Sequence, residues 1–128
     1  MNRTFFDFVN ARGENVIGTW LNGIPWEAKD AIELRFSLLR NVAQLKRPQA
    51  GILSGSHCEG LIEIRVTEKG VQYRRLAFYG PGPRQVTLLV GAREKGGKFE
   101  PRNACAIAKR HIKSIESGDG TIHEHAFS

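Results

Sequence analysis

A chain of 128 residues with 41% apolar content is long enough for one domain around one core. Its formal charge of +6 is unevenly placed, because twelve Lys/Arg stand against four Asp/Glu between Gly60 and Lys113. Such a concentration favours a polyanionic partner and accelerates encounter, without conferring specificity by itself.

No apolar run approaches the length of a membrane span, and the opening Met1–Phe8 lacks the apolar stretch of a signal peptide. The expected location is the cytoplasm, with no membrane partner. Cys58 and Cys105 fit no CxxC spacing, and in a reducing compartment they are expected to be free thiols.

Taken in chain order, Thr4–Val9 is apolar and aromatic and reads as a short first strand. Asn10–Gly13 has turn composition, and Glu14–Leu21 reads as a short helix stopped at Asn22-Gly23. Pro25 stands where it can open a second helix. From Trp26 to Leu45, Ile32, Phe36, Leu39 and Ala43 recur at helical spacing. Leu34, Leu38, Val42 and Leu45 make a neighbouring row, so a broad apolar face is expected. Pro48 ends this helix by Arg47 and leaves Lys46-Arg47 as a basic exit.

Ser54–Gly60 is a polar loop. Leu61–Thr67 alternates, with Ile62, Ile64 and Val66 opposite Glu63, Arg65 and Thr67. The short Glu68-Lys69-Gly70 joins it to Val71–Tyr79 as an antiparallel hairpin. Gly80–Pro83 is a turn, and Val86–Ala92 is an apolar run of central-strand length. After Lys95-Gly-Gly-Lys98, Pro101 marks the start of a third helix. Ala104, Ile107, Ala108, Ile112 and Ile115 give it one apolar stripe, and Gly118-Asp-Gly120 ends it. Thr121–Ser128 reads either as an edge strand or as disorder. The expected fold class is α+β, a small antiparallel sheet with helices packed on one face. It forms one domain over residues 1–128, with a tail from about residue 118.

The segments Leu61-Ile-Glu-Ile-Arg65, Val71-Gln-Tyr-Arg74, Tyr79-Gly-Pro81 and Val86-Thr-Leu-Leu, then Gly91-Ala-Arg-Glu-Lys95 with Lys98 and Pro101, together resemble the RelE/ParE superfamily of toxin–antitoxin toxins. The similarity is greatest to the phage-derived, HigB-like branch. The resemblance implies a RelE-like fold and a metal-independent endoribonuclease that enters the ribosomal A site, cuts mRNA there and inhibits translation. It implies no cofactor. The implied partners are the ribosome with its mRNA and a cognate antitoxin, a helix-turn-helix protein of the HigA-like kind. Arg65, Arg74 and Arg93 occupy strand positions where related toxins hold functional basic residues. Lys95 and Lys98 match the basic run after the last strand of the HigB-like branch. Two positions depart from the pattern: Glu63 stands where RelE-type toxins carry lysine, and Phe99 near where they carry tyrosine. Two rival readings are a ParE-like gyrase inhibitor without nuclease activity and a non-catalytic RNA- or ribosome-binding module.

RNA cleavage without metal proceeds by attack of a 2′-hydroxyl on the adjacent phosphate, and negative charge gathers on the phosphate oxygens. A preorganised guanidinium suits that charge, one donor being worth roughly 3–4 kcal/mol. The expected catalytic set is Arg74 first, supported by Arg65 and Arg93. Lys95 or Lys98 is placed to move a proton if neighbouring cations depress its basicity. Arg74 ranks above Arg75 by the family match, since neither face of that strand is cleanly polar. Glu63 reads as a salt-bridge partner more than a base. The RNA-contacting set is Lys46, Arg47, Tyr73, Arg75 and Phe99, the aromatics as platforms for unstacked bases. Tyr79 is expected in the core. His57, His111, His123 and His125 read as incidental. A zinc site from His57, Cys58, Cys105 and His111 would require remote segments to meet.

Overall fold

A computed structural model describes residues 3–45, 50–55 and 58–126. The chain order is β1 (Thr4–Val9), α1 (Val16–Asn22), α2 (Trp26–Leu39), β2 (Ala50–Ile52), β3 (Ile62–Glu68), β4 (Val71–Tyr79), β5 (Gln85–Lys95), β6 (Lys98–Glu100), α3 (Ala104–Ser117) and β7 (Thr121–Glu124). The strands form one sheet in the order β2-β3-β4-β5-β1-β7, with β6 folded back on β5. The α+β class is as expected, but the sheet is mixed, because β1 runs parallel to β5. Of the two readings left open for Thr121–Ser128, a strand is found over Thr121–Glu124, antiparallel to β1.

The expectation of helices on one face is corrected. Tyr73 and Ala77 of β4 belong to a core with Ile17 and Leu21 of α1 and Ile32 and Phe36 of α2. Leu76, between them in the strand alternation, belongs to a second core with Ala104, Cys105 and Ala108 of α3. Successive side chains of a strand point to opposite faces. The first face therefore carries α1 and α2, and the second carries α3. The α3 stripe is clear in sequence, but the sequence does not say which side of the sheet it meets.

Register decides what each face carries. Leu76 pairs with Val90 and Ala77 with Leu88, so Leu89 is an extra residue in β5. This bulge puts Leu89 and Val90 together in the core under α3. Beyond it, Gly91 turns to the first face directly beneath the Trp20 indole, where a Cβ would overlap the ring. Gly91→Ala is expected to lower stability by about 1–3 kcal/mol, read as a shifted urea midpoint with unchanged slope.

Helix α2 ends at Leu39, earlier than the apolar periodicity suggests. Ile32, Phe36 and Leu39 are buried, whereas Leu34 and Leu38 of the neighbouring row are 64% and 61% exposed. The broad apolar face is therefore half solvent-facing. Gly118, with φ of 84°, closes α3 in the left-handed conformation that glycine adopts without Cβ strain. Among the described residues no helix is long and apolar enough to cross a membrane.

Candidate nucleic-acid interface

On the second face, Arg65 of β3 stands directly opposite Arg74 of β4. Two guanidiniums in a cross-strand pair repel, so the arrangement requires counter-charge. Glu63 and Glu94 provide it. Arg65 Nε donates to Glu63 Oε1 at 2.6 Å. Arg74 lies 3.8 Å from the other oxygen of Glu63 and 3.2 Å from Glu94. Arg74 also donates to the Tyr73 carbonyl and to the Gln72 side chain. A carboxylate at position 63 thus lets the two arginines sit side by side. The Arg74 and Glu63 side chains are buried, and those of Arg65 and Glu94 remain 27% and 30% exposed.

The other three expected catalytic cations are elsewhere. The alternation past Leu89 sends Arg93 and Lys95 to the first face, where both approach Glu100 of β6, at 3.1 and 3.8 Å. Lys98 is the register partner of Lys95 and is exposed. Arg65 and Arg74 are brought together; Arg93, Lys95 and Lys98 form a separate group at the β5–β6 turn.

Of the RNA-contacting set, Lys46 and Arg47 lie outside the described residues. Tyr73 and Arg75 are corrected: both point into the first-face core, 4% and 1% exposed. Tyr73 meets Trp20 edge-on, with ring centroids 6.2 Å apart. Neither offers a surface to RNA. Conversely Tyr79, expected inside, is 57% exposed.

Phe99 is half-buried on the second face, register partner of Glu94. It lines an open cleft of about 540 Å³ with Gly55, Cys58, Arg102, Asn103, Cys105 and Ala106. The expectation of free thiols is corrected here, since Cys58 and Cys105 are joined in a disulfide. They are 47 positions apart, and spacing rules cannot see that the β2–β3 loop crosses the start of α3. With the two sulfurs bonded to each other, neither is a thiolate able to ligate zinc, and His57 lies outside the described residues. No group of three or more His, Cys, Asp or Glu among the described residues is placed to hold a metal ion.

A second polar cluster was missed. After β7 the backbone N–H of His125 donates to the Phe5 carbonyl, and the ring enters the first-face core. Its Nδ1 lies 2.6 Å from Asp7 Oδ1 and its Nε2 2.9 Å from Glu33 Oε1. Neutral imidazole has one N–H and satisfies one carboxylate only, so this geometry calls for imidazolium. Burial disfavours that charge, but hydrogen bonds to Asp7 and Glu33 outweigh it and raise the His125 pKa above 6.5, with Arg75 opposing. The Arg75 guanidinium completes the cluster, 3.5 Å from Glu33 and 4.3 Å from the Phe36 ring centroid. Burial lowers its pKa to about 10, against the pull of Glu33 and Asp7. Asp7, Glu33 and His125 also line a 220 Å³ cleft with Asn15 and Lys29. The only hint in sequence is charge at otherwise apolar-phased positions, such as Asp7 between Phe5 and Val9 in the strand alternation.

His111 is also structural, stacked on Phe8 with centroids 4.1 Å apart and bonded through Nδ1 to the Leu89 carbonyl. Burial lowers its pKa, opposed by the Leu89 contact and assisted by Arg110.

Fold and site together define an α+β domain with a mixed seven-stranded sheet covered on both faces and a paired-arginine patch on one of them. Comparison with protein-family models, with curated proteins and with solved structures yields no match.

Proposed function

We propose that this chain is a toxin of the RelE/HigB type that acts on ribosome-bound mRNA through its second face. The observation that carries the reading is the Arg65–Arg74 pair, two fixed guanidiniums side by side on neighbouring strands, one of them reachable from solvent. A phosphodiester entering there would exchange with Glu94, the more exposed of the two carboxylates, and accept hydrogen bonds in its place. Arg65 and Arg74 then carry the phosphate and its developing charge. Arg93, Lys95 and Lys98 lie outside that pocket and act at most on flanking nucleic acid or ribosome. Phe99 and its cleft lie beside the pair, in reach of a splayed base. The partner implied is an antitoxin that presents acidic groups to Arg65.

A second reading has its own support. Both guanidiniums are already paired with carboxylates, and the two carboxylates beside them, Glu63 and Glu94, are engaged by those arginines, which favours RNA or ribosome binding without cleavage.

The test adds the protein to ribosomes translating a defined message and maps mRNA 5′ ends, with Arg65→Gln and Arg93→Gln alongside. Arg65 is the better probe than Arg74, whose burial entangles function with folding. Cuts inside codons that disappear with Arg65→Gln support the toxin reading. An intact message with co-sedimentation on ribosomes leaves the binding module, and an intact message with blocked gyrase supercoiling leaves a ParE-like inhibitor.

A further inference from the structure

The Cys58–Cys105 disulfide forms part of the wall of the 540 Å³ cleft, together with Phe99 and Arg102. The two sulfurs are not equivalent. Cys58 is half-buried in the loop, whereas Cys105 is only 4% exposed. Cys105 is also the second residue of the 14-residue helix α3. That helix has no acidic side chain in its first turn, and the Asn103 side chain does not cap it. The partial positive charge of such a helix start favours a thiolate, as does the cationic Arg102 on the same cleft.

We infer that this disulfide is an exchange site for small anionic thiols, entered at Cys58 through the cleft. The inference does not depend on the proposed toxin activity. The incoming thiolate attacks Cys58 Sγ and forms a mixed disulfide. The Cys58–Cys105 bond breaks, and its electron pair leaves on Cys105 Sγ as a thiolate. A second thiol then attacks the mixed disulfide and releases Cys58. The protein is reduced by two electrons, and two thiols are oxidised to one disulfide. Arg102 and the helix start also attract the carboxylates of a thiol such as glutathione, which sets the ligand class.

Local structure holds the loop when the bond opens. Cys58 and Glu59 donate their backbone N–H groups to the Gly55 carbonyl, Leu61 donates to the Cys58 carbonyl, and Lys109 of α3 reaches the Glu59 carbonyl. Exchange therefore occurs in the folded protein. Its effect is to remove the covalent link between Cys58 and α3 and leave the Lys109–Glu59 contact as the tie between them.

The test treats native protein with millimolar glutathione, quenches with acid and maps the adduct by peptide mass spectrometry. The expected result is glutathione on Cys58 and not on Cys105, with no denaturant needed. Arg102→Gln, which removes the exposed cation that lines the cleft before α3, should slow exchange with glutathione roughly two- to fivefold. Exchange with the cationic thiol cysteamine should slow less. An adduct on Cys105, equal slowing with both thiols, or a disulfide that opens only in urea would overturn the inference.

Discussion

Replacing Glu33 with alanine is expected to lower the unfolding free energy by roughly 3–5 kcal/mol, the usual penalty for removing one member of a buried charged network. Glu33 touches both His125 and Arg75, so its loss takes one carboxylate away from two cationic groups in the first-face core. Exposed pairs such as Arg12–Glu14 set the contrast, where substitution changes stability by at most about 1 kcal/mol. Urea titration of Glu33→Ala against Glu14→Ala measures the difference. Equal losses would mean that the cluster contributes no more than surface charge.

The same cluster fixes a pH dependence and its sign. A histidine whose folded pKa is raised contributes stability that is complete below the unfolded value near 6.5 and is lost as pH rises through the folded value. His111 acts oppositely. Its folded pKa is lowered, so stability falls as pH drops below about 6.5. Stability should therefore peak near neutrality and decline on both sides. His125→Gln should remove the alkaline decline and leave the acid one. A wild-type urea midpoint that stays constant from pH 6.5 to 9 would rule out the imidazolium.

The second large effect concerns the paired arginines. If the second face grips a scissile phosphate, Arg65→Gln should cut the rate of message cleavage about 10²- to 10³-fold, the range for loss of one preorganised donor. Arg93→Gln, on the other face, should change it by less than about threefold. Comparable losses from both would mean that the two basic groups act together, by a rearrangement of the β5–β6 turn. Circular dichroism and the urea midpoint of each variant separate chemistry from folding. Arg65 suits this test better than Arg74 because its side chain remains 27% exposed against 8%.

The hairpin of β3 and β4 was legible because Ile62, Ile64 and Val66 alternate cleanly and Gly70 punctuates the turn. Helix α3 was legible because its stripe recurs at helical spacing. The strands β2 and β6 were not seen, since three residues carry no periodicity and exist only by pairing with β3 and β5. The length of α2 was overread because Val42 and Leu45 continue its apolar phase after the helix has stopped at Leu39.

The placement of the candidate site turned on one residue. Counted from Val86 without interruption, Arg93 would share a face with Thr87 and hence with Arg74. The extra residue at Leu89 reverses the alternation beyond it and carries Arg93 and Lys95 to the opposite side. A bulge is a property of two strands in register, and no pattern within one strand reports it.

Local periodicity, turn residues and the uneven charge by themselves determined the α+β class, most elements and the basic character of residues 60–113. These depend on neighbours a few positions apart, which the chain displays directly. Only the tertiary structure decided that the sheet is covered on both faces, that Cys58 meets Cys105, that His125 joins Asp7 and Glu33 across 118 and 92 positions, and that the basic residues divide into two groups. Each of those follows from strand order and register, which bring together residues whose separation along the chain carries no information about their distance in space.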